Sequence, residues 1–390
     1  MGKYNFDLPA PRRGTNCYKW DDLKESYGKA DLLPYWIADT EFCTMPELTE
    51  ALMERIKKPV YSYTFPDEGF FGSIIHWYEK RHQVKLLRED IFPAPGVVFA
   101  VGRIIETFTR EGDAVIINQP VYESFLDMIP RLKRRIADAP LVCRDGRYEL
   151  DFDAIEAQMK AGAKIYLLCS PHNPVGRVWT KEELAKIAAL CSRYGVLLVS
   201  DEIHSDVVYG DTAFTPAFAS SDEAAQCTIV VNSPAKTFNI ASLKTAYLIS
   251  KNSDLLAKAK ESIACYHLGV TFLGYLGCRT VYEQGDDYAD ELCRYVKENA
   301  AFVCSEIREK LPRVKTYMPE STFLMWLDFN DYGLSHEELE AFLVEKAGVA
   351  LSSGLHYGEQ GRGFMRLNIG EPRALLAQGL KQIEDVFASL

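Results

Sequence analysis

Long hydrophobic runs are absent from this sequence of 390 residues, and so is any excess of basic charge. No apolar run approaches the roughly 20 residues that a bilayer-spanning helix needs, and the first residues lack the apolar core of a secretory signal. The chain has 44 Lys and Arg against 55 Asp and Glu, a net charge of −11. This balance argues against nucleic acid or an anionic membrane as partner, and we expect a cytoplasmic protein.

Paired cysteine motifs, repeats and low-complexity segments are also absent. None of the ten cysteines forms a Cys-x-x-Cys pair, and their irregular spacing is typical of reduced, mostly buried thiols rather than of disulfides or a metal site. Met1-Gly2 lacks the Ser or Thr that a myristoylation motif requires, because Phe6 stands at that position. The composition is that of a globular protein, with 47% hydrophobic and 25% charged residues, and the length suggests two domains sharing one large core.

Strand and helix patterns alternate through the first two thirds of the chain. β-Branched, apolar runs predict buried strands, and amphipathic runs with capping residues predict helices. This alternation favours an α/β fold with a mainly parallel sheet and right-handed crossovers. The predicted strands are 114–118, 164–169, 196–200 and 228–232, and the predicted helices are 46–57, 73–82, 97–110 and 181–194.

The segment TIVVNSPAKTFNIASLK, residues 228–244, places a lysine just beyond a buried strand. Ser233-Pro234-Ala235 ends the strand, and Lys236 follows. In an open α/β sheet, ligands bind in the crevice outside the carboxyl ends of the strands. A lysine there can lose solvent, which lowers its pKa and makes it a Schiff-base nucleophile. By itself, a solvated loop lysine would be the simpler interpretation.

Other polar or aromatic side chains also follow predicted strands. Taken singly, Asn173 could cap a turn, His204 could be a hydrogen-bonded core histidine, and Asp201 could cap the next helix. Together with Lys236 and Tyr122, these residues provide the groups that pyridoxal 5'-phosphate (PLP) requires. They are a lysine, an acid for the ring nitrogen, an aromatic ring to stack on the cofactor and hydrogen-bond donors. The full set after strand ends is Tyr122, Asn173, Asp201, His204, Ser233 and Lys236.

A helix start supplies a further expected anion site. Ala94-Pro95-Gly96 precedes the predicted helix 97–110, so the backbone N–H groups of Val97 and Val98 would point out of its first turn. Such groups bind phosphate without a charged side chain. Pro-Gly before a helix is also common punctuation, so this signal depends on the others.

Three strings, SPHNPVGRVWT, SDEIHSDVVYG and SPAKTFNIA, resemble fold-type I PLP enzymes, and among them the MalY/PatB group of cystathionine β-lyases and cysteine C–S lyases. The resemblance runs from KWDDL and LPYWIADTEF to YGEQGRGFMRLNIGEPR. It implies a large PLP-binding domain at 46–285, with a mainly parallel, seven-stranded-type sheet between helices. Residues 1–45 and 286–390 would form a smaller α/β domain, with helices at 286–311, 336–347 and 373–388 and strands at 322–327, 349–352 and 365–368.

The resemblance also implies roles for individual residues around the cofactor. Lys236 would form the Schiff base, Asp201 would pair with the ring nitrogen, Asn173 would bind the ring hydroxyl and Tyr122 would stack on the ring. Ser233 and the amides of Val97 and Val98 would hold the phosphate. Two positions differ from transaminating relatives, which have a tyrosine where this chain has His204 and an arginine where it has Lys244. Both would still lie at the cofactor. The residues concerned are Tyr122, Asn173, Asp201, His204, Ser233, Lys236 and Lys244.

Three further residues concern the substrate and the assembly. By the resemblance, Arg366 would clamp the substrate α-carboxylate, a bidentate task suited to its planar fork. The segment Trp36 to Asp39, with Ala38 as the substrate contact, would fold back toward the site. Tyr63 would reach the phosphate of the neighbouring subunit, which predicts a homodimer with shared active sites.

Four functions remain open on the residues alone. The resemblance, including His204, favours α,β-elimination from L-cystathionine or another L-cysteine S-conjugate to give thiol, pyruvate and ammonia. A class I/II aminotransferase would use the same lysine, aspartate and arginine. Ser233 to Lys236 also fits the Ser-x-x-Lys acylase pattern, but the Ser-Asp-Asn and Lys-Thr-Gly strings of that mechanism are absent. A non-catalytic binding protein on the same fold is the fourth.

Overall fold

The computed structural model of the chain describes residues 2–388 and 390. Its strands are β1 (Leu33–Pro34), β2 (Ile91–Ala94), β3 (Ala114–Ile117), β4 (Arg135–Asp138), β5 (Val142–Arg144), β6 (Arg147–Glu149), β7 (Ile165–Cys169), β8 (Leu197–Asp201), β9 (Thr228–Asn232), β10 (Ala246–Ile249), β11 (Leu324–Asp328), β12 (Val349–Ala350), β13 (Ser352–Ser353) and β14 (Phe364–Asn368). Its helices are α1 (Tyr18–Asp21), α2 (Leu23–Tyr27), α3 (Pro46–Ile56), α4 (Glu68–His82), α5 (Val97–Phe108), α6 (Glu123–Arg131), α7 (Phe152–Lys160), α8 (Lys181–Tyr194), α9 (Asp222–Cys227), α10 (Ser253–Ala264), α11 (Phe272–Gln284), α12 (Asp286–Lys310), α13 (His336–Ala341) and α14 (Arg373–Phe387).

A seven-stranded sheet in the order β2-β10-β9-β8-β7-β3-β4 forms the centre of the molecule. All its strands run parallel except β10, which is antiparallel to both β9 and β2. Every residue of β7, β8 and β9 is buried, because helices cover both faces of the sheet. Alternate strand residues therefore belong to two hydrophobic cores, one on each face. The predicted α/β architecture is confirmed.

The parallel register brings the polar ends of the central strands to one edge. Cys169 at the end of β7 lies opposite Asp201 at the end of β8, and Asp201 lies opposite Val231 near the end of β9. The turns that follow these three strands are thus neighbours in space. This is the edge at which open α/β sheets bind ligands.

A smaller antiparallel sheet, in the order β11-β14-β13, follows the long helix α12. The N-terminal segment joins this part of the molecule: β1 pairs in parallel with β12, and the amide of Asn368 donates to the carbonyl of Tyr35 at 3.0 Å. The division into domains at 46–285 and at 1–45 with 286–390 stays a prediction.

Several element boundaries differ from the sequence expectation. The helix predicted at 73–82 begins at Glu68, because the Asp67 side chain accepts the amide of Phe70 at 2.8 Å and caps it. The short elements α1, α2 and β1 within residues 1–45 were not predicted. The strand predicted at 322–327 begins at Leu324, because Thr322 has a left-handed φ of 66°. The strand predicted at 349–352 is divided into β12 and β13.

All ten cysteines are free, but the prediction that most of them are buried is wrong: three are buried, four are partly buried and three are exposed. Within the part of the chain that the structure describes, no helix combines the length and the apolar character needed to cross a bilayer.

Candidate active site

Lys236 lies one turn beyond β9 at the ligand-binding edge of the sheet. Its Nζ donates to the carbonyl oxygen of Ala38 at 2.5 Å, so the N-terminal segment reaches the lysine as predicted. Burial lowers the pKa of Lys236, and the charge of Asp39 opposes that effect. A lysine with a lowered pKa has a larger neutral fraction near pH 7, which is the form that attacks a carbonyl carbon.

Asp201 and His204 follow β8 on the same edge. Asp201 is 3% exposed, and burial raises the pKa of its carboxyl to about 6, against the amide of Ile203, which donates to Oδ1 at 3.2 Å. Burial also lowers the pKa of His204 well below its usual range, so the ring is neutral. The His204 ring packs on Phe323 with centroids 5.8 Å apart, and its buried Nδ1 has no hydrogen-bond partner among the described residues.

Asn173 and Arg366 connect the two parts of the molecule. Arg366, on β14, donates from Nη1 to Oδ1 of Asn173 at 3.1 Å and from Nη2 to the carbonyl of Trp36 at 2.7 Å. Its guanidinium lies 5.0 Å from the ring centroid of Tyr357. The Arg366 side chain is buried, yet its Nε finds no acceptor in residues 2–388 or 390. One donor of the planar fork is therefore left for another molecule.

The remaining predicted cofactor residues border the same edge. Tyr122 directly precedes α6, and burial raises its pKa to about 12. Val97 and Val98 open α5 directly after Gly96, which leaves the N–H groups of its first turn without helical partners. Ser233 Oγ donates to the carbonyl of Thr245 at 2.6 Å and accepts from Ala235 N at 3.1 Å, so its proton is already engaged. Tyr122, Val97, Val98 and Ser233 therefore follow strands of the central sheet at the edge where Lys236 lies.

Tyr63 and Lys244 lie at the surface of the chain. Tyr63 is 106% exposed, and its loop also exposes Tyr61 at 61% and Phe65 at 79%. This aromatic loop, residues 61–65, borders an open cavity with a volume of about 950 Å³, which Phe272 also lines. Lys244 has a left-handed φ of 52° and an exposed side chain. Among the described residues, neither side chain makes a hydrogen bond to a residue of the site.

An ion cluster that the sequence analysis missed holds the N-terminal segment in place. The side chain of Lys19 is fully buried, and its Nζ lies 2.5 Å from Glu371 and 3.1 Å from Glu41. Arg12 also binds Glu41, at 2.7 Å, and pairs with Asp39. We call these five residues the N-terminal ion cluster. The one local signal was the presence of Asp39 and Glu41 inside the apolar string LPYWIADTEF.

The fold agrees with the family comparison. Residues 38–383 match the family described as aminotransferase class I and II, and the chain belongs to this family, whose members depend on PLP. It is 38% identical to cystathionine beta-lyase PatB of Bacillus subtilis, over 97% of this chain and 99% of that protein. It is 33% identical to protein MalY of Escherichia coli, over 97% of each.

A comparison with a solved structure supports the same family assignment. Cystalysin from Treponema denticola, which contains a PLP cofactor, superposes with a TM-score of 0.95 at 32% identity and covers 99% of each chain. The predicted fold-type I architecture and the resemblance to the MalY/PatB group are thereby confirmed. The roles of the individual site residues stay predictions.

Proposed function

We propose that the protein is a PLP-dependent carbon–sulfur lyase that acts on L-cystathionine or other L-cysteine S-conjugates. The overall reaction takes one cysteine thioether and one water to one thiol, one pyruvate and one ammonium ion. The observation that carries the proposal is the position of Lys236, which is partly buried beside Ala38 just beyond the carboxyl end of β9. The family match and the similarity to proteins named cystathionine beta-lyase support this specific activity.

The donor set fits the cofactor. Several buried polar atoms around Lys236 lack partners among the residues described, which a bound polar molecule would remedy. They are Ser170 Oγ, His204 Nδ1, Thr237 Oγ1 and Arg366 Nε. When bound, the cofactor supplies an electron sink for the charge left at the substrate α-carbon.

Each part of the cofactor has a residue of matching chemistry. Lys236 would bind its aldehyde carbon, Asp201 its ring nitrogen and Asn173 its ring hydroxyl, with Tyr122 against the ring and His204 beside it. The phosphate would lie at the amides of Val97 and Val98, with Ser233 and Lys244 contributing. The residues assigned here to cofactor binding are Tyr63, Val97, Val98, Tyr122, Asn173, Asp201, His204, Ser233, Lys236 and Lys244.

The chain's own groups can position the substrate and move its proton. Arg366 would hold the α-carboxylate, since its Nε has no acceptor among the described residues, and Asn173 binds the guanidinium through Nη1. The Lys236 amine, once free, is a base within the site, and burial lowers its pKa toward the working range of such a base. Ala38 would contact the substrate from the N-terminal segment, which the N-terminal ion cluster holds in place.

We infer that the enzyme is a cytoplasmic homodimer whose two active sites are shared between subunits. The exposed aromatic loop, residues 61–65, supports this inference because so many exposed rings on one loop are typical of a protein interface. In such a dimer Tyr63 would complete the phosphate site of the neighbouring subunit. Its partners would be a small amino-acid substrate and a second copy of the chain, with no nucleic acid or membrane.

The test is pyruvate release from L-cystathionine, scored beside keto-acid-dependent amino transfer from L-alanine and L-glutamate. We expect a yellow protein that forms pyruvate, and a Lys236→Ala control that is inactive and lacks the covalent cofactor band. Borohydride reduction of the native protein should attach the cofactor to the peptide that contains Lys236. Fast amino transfer without pyruvate from any cysteine thioether would replace the lyase with an aminotransferase. A colourless protein that cannot be loaded with cofactor would remove both.

A further inference from the structure

Glu123, next to Tyr122, carries a buried carboxylate oxygen that has no hydrogen-bond donor among the described residues. It is the first residue of α6, directly after Tyr122, and its side chain is partly buried. Its Oε2 is buried, and no hydrogen-bond donor in residues 2–388 or 390 pairs with it. A buried acceptor without a donor costs stability, so it calls for a partner that the chain does not supply.

The chain just before Glu123 packs against the loop that carries Tyr357, beside Arg366. The amide of Val121 donates to the carbonyl of Tyr357 at 3.0 Å, and the Tyr357 ring lies beneath the Arg366 guanidinium. Gly358 packs tightly on the side chain of Gln119. A Cβ atom at position 358 would lie only 1.8 Å from Oε1 of Gln119. The segment 119–123 is thus held against the loop 354–358 at the substrate arginine.

The charge of Glu123 acts on groups inside the site. Burial lowers the pKa of Lys236, and the charges of Asp39 and then Glu123 oppose that change. Burial also raises the pKa of Tyr357, and the Glu123 charge adds to the effect. The carboxylate is therefore close enough to both Lys236 and Tyr357 for its charge to act on them, and it adds negative potential to this part of the site.

We propose that Glu123 determines specificity by binding a cationic group at the distal end of the substrate. This rests on the proposed function, in which Arg366 takes the α-carboxylate and the cofactor takes the α-amino group. The only part of a cysteine thioether left to donate to a carboxylate is then the far end of the leaving group. The preferred substrates are thioethers whose leaving thiol carries an ammonium, such as the distal amino-acid end of L-cystathionine.

Three cysteine thioethers that differ only at the distal end test the proposal. They are S-(2-aminoethyl)-, S-propyl- and S-carboxymethyl-L-cysteine, with cationic, neutral and anionic ends. The measurement is kcat/KM for pyruvate release by the wild type and by Glu123→Gln. We expect the wild type to prefer the cationic substrate and the variant to lower the cationic-to-neutral ratio about tenfold, because charged hydrogen bonds are about twice as strong as neutral ones.

A control variant separates this effect from general loss of charge. Glu111→Gln removes an exposed carboxylate that pairs with Lys133 at 2.9 Å, before β3 and so at the opposite edge of the sheet. It should leave the cationic-to-neutral ratio of kcat/KM at the wild-type value. If Glu123→Gln lowered kcat/KM for all three substrates equally, or changed none, the specificity role would be wrong.

Binding without turnover keeps the proposal testable if elimination fails. L-Lysine, L-norleucine and L-2-aminoadipate carry the same three kinds of distal end but have no leaving group. Their Kd follows from the change in cofactor absorbance, and only L-lysine should bind less tightly to Glu123→Gln. A yellow wild type that prefers L-lysine but releases no pyruvate would overturn the lyase and keep Glu123. A wild type that releases pyruvate without any cation preference would do the reverse.

Discussion

Replacing Asp201 by Asn should stabilise the cofactor-free protein near pH 8 while removing activity from the loaded enzyme. Asp201 has no ion pair within the described part of the chain, and burial raises the pKa of its carboxyl from the ordinary 3.8 to about 6. The difference between these two pKa values corresponds to ~3 kcal/mol of unfolding free energy at neutral pH. The isosteric amide never ionises, so the variant escapes this cost.

The sign of the effect follows from proton binding. Below about pH 4 the carboxyl is protonated in the folded and the unfolded chain, and its contribution to stability is fully present. Between about pH 4 and pH 6 the unfolded chain has released its proton while the folded chain still holds it, so the wild type loses that contribution as the pH rises to about 6. Burial, and to a smaller extent the charge of Asp201, also raises the pKa of Glu202 to about 8, so Asp201→Asn relieves Glu202 in the same direction.

The assay is urea unfolding of both cofactor-free proteins at several pH values from 5 to 8. An amide donor left unpaired would subtract a constant ~1–3 kcal/mol from the variant, so the pH dependence of the difference decides the test. We expect the difference in unfolding free energy to shift in favour of the variant by ~1.5 kcal/mol between pH 5 and 8. Asp127→Asn, which removes an exposed carboxylate of α6, is the control. A difference that stays constant with pH would refute the reasoning.

Two further predictions concern assembly and the N-terminal segment. Mixing Tyr63→Phe with Lys236→Ala subunits should restore activity, because one site of each heterodimer then carries neither change; no gain over the separate homodimers would place Tyr63 in its own chain's site. Lys19→Met should destabilise the protein by ~3–5 kcal/mol in urea unfolding at pH 7, since it leaves buried carboxylates unpaired. Adding Glu371→Gln should recover part of that loss, and a double variant less stable than Lys19→Met would contradict the pairing.

The central sheet could be predicted because its signals are local. The strand Thr228–Asn232 is an uninterrupted β-branched, apolar run, and the helix Lys181–Tyr194 is bounded by the capping box of Thr180 with Glu183, so both were predicted at their observed limits. The antiparallel strand Ala246–Ile249 was missed. Its four residues read equally well as part of a helix, and only its partners on both sides make it a strand.

The site was predictable to the extent that its residues follow strands. Strand ends place Lys236 and Asp201 together through the regular register of a parallel sheet. Lys19 is different, because its partner Glu371 lies 352 residues away in the chain. No periodicity or spacing connects two such residues, so the N-terminal ion cluster could come only from the folded structure.

Buried charges in this molecule fall into two groups that differ in their partners. Lys19 is surrounded by carboxylates of its own chain, so its role is explained by holding the N-terminal segment. Asp201 lacks an ion pair within the described chain, Arg366 Nε lacks an acceptor and Glu123 Oε2 lacks a donor there. Folding alone does not favour a buried charged group left incomplete. Asp201 and Glu123 follow strands of the central sheet, and Arg366 comes to Asn173 at the same edge from β14 of the smaller sheet. We therefore propose that their missing partners are parts of the same bound molecules: a ring nitrogen, an α-carboxylate and a distal ammonium.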